Sequence, residues 1–205
     1  LNNEVRSSAR AMVDIALFDL LARKASLPLY QLLGGYRSSI ATSITIGILP
    51  LEETLERART YLARGFTILK LKGGLDVGAD IERVHKLRET FGNGFTLRFD
   101  ANQGFDPDTA VYFIEQTRKV GIEILEQPTP QNNPEAMRAV SQRVHIPVMA
   151  DESIKSRADA FHLTREGMMD MVNIKIQKVG GILEAAHINS VAKAGGLEVM
   201  IGCID

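Results

Sequence analysis

A chain of 205 residues, 45% hydrophobic and 24% charged, has an ordinary globular composition and room for one large core. Its net charge of -1 leaves no electrostatic footprint for nucleic acid or an anionic membrane, and no apolar run reaches the length of a membrane span. The single cysteine, Cys203, excludes an internal disulfide and a cysteine-rich metal site and fits a reducing, cytoplasmic setting.

The spacing predicts a helix over residues 4–24, with Val5, Ala9, Met12, Val13, Ala16, Leu17, Leu20 and Leu21 on its apolar stripe. Pro28 ends it, and a short apolar turn closes on Gly34-Gly35. A repeat then takes over. Strands are expected at 42–47, 67–71, 95–99, 123–125, 147–150, 171–174 and 197–201. Helices are expected between them, at 50–64, 79–91, 107–119, 134–142, 157–166 and 182–194. The strands are apolar on both faces, as buried parallel strands are. Strand–helix alternation with short loops means βαβ units and a parallel sheet.

Thr45, Lys70, Asp100, Glu126, Asp151 and Lys175 recur at intervals of roughly 25 residues, each at or near the C-terminal end of its strand. A doubly wound sheet rarely repeats a polar residue in this way. A (β/α)8 barrel does, because its active site is built from strand C-termini around one mouth. The expected fold is therefore α/β, a barrel of that type with about seven βα units present. The chain begins at Leu1 and stops at Asp205, directly after a strand-like run, so the expectation is a piece of a longer protein.

Lys70 and Lys72 lie two apart on one strand and project from the same side. Two ammonium groups that close disfavour each other's charged form, which pulls a lysine pKa toward neutrality and suits a general base. Asp100, Glu126 and Asp151 end three consecutive strands. Carboxylates crowded at a barrel mouth repel unless a cation lies between them, and all-oxygen anionic ligation selects Mg2+, or Mn2+. Lys175 ends the sixth strand, opposite the second in a barrel. Lysines on both sides of a metal-bound substrate suit removal of a proton from one face of a carbon and its return to the other.

Lys70-x-Lys72, Asp100-x-Asn102, Glu126-Gln127-Pro128, Asp151-Glu152-Ser153 and Lys175-Ile176-Gln177-Lys178-x-Gly180-Gly181 together resemble the muconate-lactonizing-enzyme subgroup of the enolase superfamily. The resemblance covers nearly the whole chain. It implies that Lys72 and Lys175 are the acid/base pair and that Asp100, Glu126 and Asp151 hold one Mg2+. Lys70 would contact the substrate carboxylate and tune Lys72. It also implies that residues 1–36 are the end of a capping region with its lead-in helix, and that 37–205 form a partial catalytic barrel. Ile201-Gly202-Cys203-Ile204-Asp205 is similar to a stretch of dipeptide epimerases, which adds Thr45, Cys203 and Asp205 as substrate contacts. Ile204 departs from the methionine usual there.

The implied activity is a racemase or epimerase working by 1,1-proton transfer through a metal-stabilised enolate, on a small carboxylate such as a dipeptide, in a protein that is a homo-oligomer at full length. o-Succinylbenzoate synthase and muconate cycloisomerase use the same lysines and acids. A Schiff-base aldolase with Lys175 as nucleophile is a different class, and the acid triplet argues against it. An inert barrel fragment is the non-enzymatic alternative. An open barrel exposes strand edges, so a protein ending at Asp205 is expected to aggregate on size-exclusion chromatography and to lack activity; soluble, active 205-residue protein overturns that expectation.

Overall fold

The computed structural model describes residues 3–203, with side chains from Arg6 onward. Helices α1 (Asn3–Ala25) and α2 (Leu29–Leu32) precede the alternation. It runs β1 (Ile44–Ile46), α3 (Leu51–Ala63), β2 (Ile68–Lys72), α4 (Val77–Phe91), β3 (Thr96–Asp100), α5 (Pro107–Gln116), β4 (Ile122–Glu126), α6 (Pro134–Ser141) and β5 (Val148–Ala150). It continues with α7 (Arg157–Arg165), β6 (Met171–Lys175), α8 (Ile176–Val179), α9 (Ile182–Ala194) and β7 (Glu198–Gly202). All seven expected strands are present. Several extend one residue beyond the expectation, so that Lys72, Asp100, Glu126 and Lys175 are each the last residue of a strand.

Two helical expectations change. The helix expected over 107–119 stops at Gln116 and is followed by one 3-10 turn, Arg118–Val120. The buried Thr117 hydroxyl donates to the Phe113 carbonyl at 2.8 Å, a local bond that competes with helix continuation. The turn ends on Gly121 at φ 71. After β6 the chain passes straight into the short helix α8, where a loop was expected.

The residues form two compact units. One comprises residues 41–153 and 167–170; the other comprises those up to 40, 154–166 and from 171 onward. In the first of these, β1 to β5 pair in parallel and in chain order. Leu69, Leu71, Leu97, Phe99, Leu125 and Met149 are buried along them. Phe99, Phe105 and Phe113 form one aromatic cluster, with the Phe99 and Phe113 ring centroids 4.3 Å apart. The loops after β2 and β3 touch backbone to backbone. A Cβ at Gly74 would lie 1.9 Å from the Ala101 carbonyl oxygen, and one at Gly104 would lie 2.0 Å from that of Gly74. Only glycine permits that approach.

In the other unit β6 and β7 are parallel partners, with Lys175 opposite Gly202, and α7 packs on α9. Helix α1 packs on α8 and α9, but not by its apolar stripe. Met12, Val13, Leu17, Leu20 and Leu21 are exposed, while Ala11 and Ala22 are buried. The side chain of Val5 lies outside the described residues. The contact face carries Arg10 and Asp14, which bond the facing ends of α8 and α9. Arg10 Nη2 donates to the Val179 carbonyl near the end of α8 at 3.3 Å. Asp14 Oδ2 accepts from the Ile182 and Leu183 amides at the start of α9, at 2.5 and 3.4 Å. Gly180 and Gly181 make room: Cβ atoms there would fall 2.6 Å from the Arg10 guanidinium and 2.5 Å from the Asp14 carboxylate.

Helix α9 has no capping side chain of its own at Gly181, so Asp14 supplies the cap and the negative charge its N-terminus favours. Asp14→Ala is expected to lower unfolding free energy by about 1–2 kcal/mol in a urea melt. Asp14→Asn should recover part of that loss.

Candidate active site

The parallel register lines up the chemistry of β2 to β4. Lys72 stands opposite Asp100, and Asp100 stands opposite Glu126. Asp151 follows the last residue of β5, one strand further on. All three carboxylates are about as buried as an acid can be, at 1% exposure each. Lys72 is half-buried, and Thr45 is half-buried in β1 opposite Lys70.

Lys70 is also buried, and its ammonium lies 3.1 Å from Asp100 Oδ2 and 3.1 Å from Glu126 Oε2. Burial pulls its pKa down, but the charges of Glu126 and Asp100 and their hydrogen bonds outweigh this and hold it above the ordinary lysine value. The expectation that the lysine pair would depress one another therefore fails for Lys70. Two carboxylates at hydrogen-bond distance act on it more strongly than one neighbouring cation does.

Lys175 is half-buried at the end of β6, and Cys203 is exposed just past β7. Both belong to the unit that does not contain the acids. Asp205 lies outside the described residues, as does Ile204. Asn102, expected beside a ligand, acts through its backbone: its amide donates to Asp100 Oδ1 at 2.9 Å. Among the described residues no three acidic, histidine or cysteine side chains converge into a ready-made metal centre. Asp100 and Glu126 are joined instead through the Lys70 ammonium. The donor set nonetheless fits a hard divalent ion. It consists of carboxylate oxygens alone, buried at neighbouring strand ends, and a positive charge already lies between two of them.

Three comparisons bear on this arrangement. A family model described as enolase C-terminal domain-like matches residues 53–205, and one for the mandelate racemase/muconate lactonizing enzyme N-terminal domain matches residues 3–34. The chain belongs to the mandelate racemase/muconate lactonizing enzyme family. Within this family the chain is 43% identical over 197 residues to a hydrophobic dipeptide epimerase of Enterococcus faecalis, covering 96% of this chain and 56% of that protein. It is 40% identical to an L-Ala-D/L-Glu epimerase of Bacillus subtilis, covering 95% and 54%. The crystal structure of the E. faecalis dipeptide epimerase with Mg and L-Leu-L-Tyr superposes with a TM-score of 0.95 at 42% identity, over 97% of this chain and 56% of that one. The chain thus spans about half the length of the curated relatives it matches. Its fold is the enolase-superfamily barrel class, with seven strands among the described residues.

Two members of the site escape motif reading. Asp80 and Arg83 on α4 form a buried ion pair behind Lys72. Arg83 Nη2 donates to the Lys72 carbonyl at 3.0 Å, and Asp80 Oδ2 accepts from the Gly74 amide at 2.8 Å. The pair grips the backbone on both sides of Gly73, immediately after Lys72. Nothing in the spacing marks it, since an Asp and an Arg three apart on a helix read as a surface pair. Removing one partner strands a buried charge. Arg83→Leu is expected to cost about 3–5 kcal/mol by chemical denaturation, whereas Lys86→Leu, on the exposed face of α4, should leave the denaturation midpoint close to that of the wild type.

Proposed function

We propose that this protein is an isomerase, a Mg2+-dependent epimerase that removes the proton α to a carboxylate and returns it on the opposite face, with a dipeptide as substrate. The observation that carries this reading is the strand-end series. Lys72, Asp100 and Glu126 stand in consecutive register, Asp151 is buried one strand on, and Lys175 closes β6. The epimerase relatives support the substrate class. Those two relatives act on different dipeptides by name, so the choice of dipeptide is left to the residues around the substrate side chain.

Asp100, Glu126 and Asp151 would hold the ion, Mg2+ or Mn2+. When bound it neutralises charge developing on the substrate carboxylate as the α-proton leaves. Lys70 uses two of its three N–H donors on Asp100 and Glu126, which leaves the third for a substrate carboxylate oxygen. In this scheme Lys72 takes the proton from one face and protonated Lys175 delivers one to the other. Thr45, Cys203 and Asp205 are assigned to substrate contacts. We assign residues 1–36 to the end of a capping region with its lead-in helix and 37–205 to a partial catalytic barrel. No described helix is long and apolar enough to cross a membrane; we assign the protein to the cytoplasm and expect a homo-oligomer at full length.

Incubation of the full-length protein with an L-Ala-L-amino-acid dipeptide in D2O tests the reaction. Deuterium at the α-carbon of the C-terminal residue together with inversion is expected, and chelation of divalent ions should abolish both. Dehydration or cycloisomerisation of another carboxylate without such exchange would assign the site to synthase or cycloisomerase chemistry instead. Lys175→Ala should reduce epimerisation by about 100-fold or more while one stereoisomer still exchanges its proton from the Lys72 face. Free epimerisation by that variant overturns the two-base scheme.

A further inference from the structure

We infer that Gln127 is the positioning residue that holds Asp151 beside Glu126 for cation binding. The inference rests on the metal reading proposed above and adds a residue that this reading leaves unassigned. Gln127 follows Glu126 directly and is fully buried. Its amide uses its entire hydrogen-bonding capacity. Oε1 accepts from the Asp151 amide at 2.8 Å and from the Ser153 amide at 3.2 Å. Nε2 donates to Ser153 Oγ at 2.9 Å and to the Thr129 carbonyl at 2.9 Å. The reversed amide would set N–H against N–H and oxygen against oxygen, so the orientation follows from the partners.

Three of these four bonds grip the segment Asp151-Glu152-Ser153. The backbone of Gln127 completes the link in both directions. Its amide donates to the Met149 carbonyl at 2.8 Å, and its carbonyl accepts from Gln103 at 2.8 Å. One residue therefore joins the loops that follow Asp100 and Glu126 to the one that carries Asp151. It does so at φ 33, in the left-handed region that costs a non-glycine residue energy. Glycine would relieve that strain but could not reach Asp151. Retaining glutamine there keeps the reach at the expense of local strain. This side chain fixes the backbone of Asp151 relative to Glu126, and the affinity for an ion bound by both carboxylates depends on that placement.

Mn2+ titration followed by the electron paramagnetic resonance of the free ion tests this on the purified full-length protein. The wild type should show one saturable site, lost in Asp151→Asn. Gln127→Met, close in size but without the amide, should bind Mn2+ at least about tenfold more weakly while far-UV circular dichroism is unchanged. Ser153→Ala removes one of the four bonds and should weaken binding less. Asp106→Ala removes the cap of α5, where Oδ1 accepts from the Thr109 amide at 2.7 Å. It should lower the melting temperature without moving Mn2+ affinity, which separates positioning from a general loss of stability. If Gln127→Met does not fold, Gln127→Asn takes its place, since asparagine tolerates the left-handed conformation but is too short to reach Asp151. Folded Gln127 variants that bind Mn2+ as the wild type does overturn the inference alone. A wild type that binds no Mn2+ overturns the metal reading and the inference with it.

Discussion

Lys70 places one buried ammonium 3.1 Å from each of two buried carboxylates, Asp100 and Glu126, contributed by the next two strands. Parallel pairing puts Asp100 opposite Glu126. Both are taken out of water at that point, and each would cost several kcal/mol if left without compensation. The ammonium offsets part of that cost and ties β2 to β3 and β4 from inside. The register of these strands and the electrostatics of their ends are thus one problem with one solution. A sheet slipped by one residue would turn Asp100 or Glu126 away from Lys70.

Beyond the strand ends the ladder does not stop. Gly73 donates to the Asp100 carbonyl, Ala101 to that of Glu126, Gln103 to that of Gln127 and Gln127 to that of Met149. Each loop is bonded to the next in the direction of the sheet. The loops that continue from the strand ends are therefore extensions of the scaffold, built to the precision of strands. The left-handed residues Asn102, Gln103 and Gln127 all fall in this run, as backbone strain does where surrounding structure over-determines it. On the outer side, Asp80 and Arg83 hold the backbone that follows Lys72 from α4.

The other unit solves a different electrostatic problem with the same means. A glycine pair opens the start of α9 and exposes its amides. The sequence shows Gly180-Gly181 only as the close of the motif that begins at Lys175. In the fold those amides meet the chain's own Asp14 carboxylate, carried by α1. The same contact accounts for the orientation of α1, with Ala11 and Ala22 inward and the leucines outward.

Strand positions, the order of the sheet and the residues that end its strands were legible from the sequence alone. Strands β2, β3, β4 and β6 each close on a charged residue, and the βα period spaces those closures along the chain. These residues are Lys72, Asp100, Glu126 and Lys175. What only the tertiary structure decided is which groups meet. Lys70 finds Asp100 and Glu126 30 and 56 residues away, Gln127 finds Asp151 24 residues away, and Asp14 finds α9 168 residues away. Periodicity reports whether a position is inside or outside. It carries no information on which polar partner arrives there from elsewhere in the chain, because that partner is delivered by strand register and loop path. Those are properties of the folded sheet and not of any one segment.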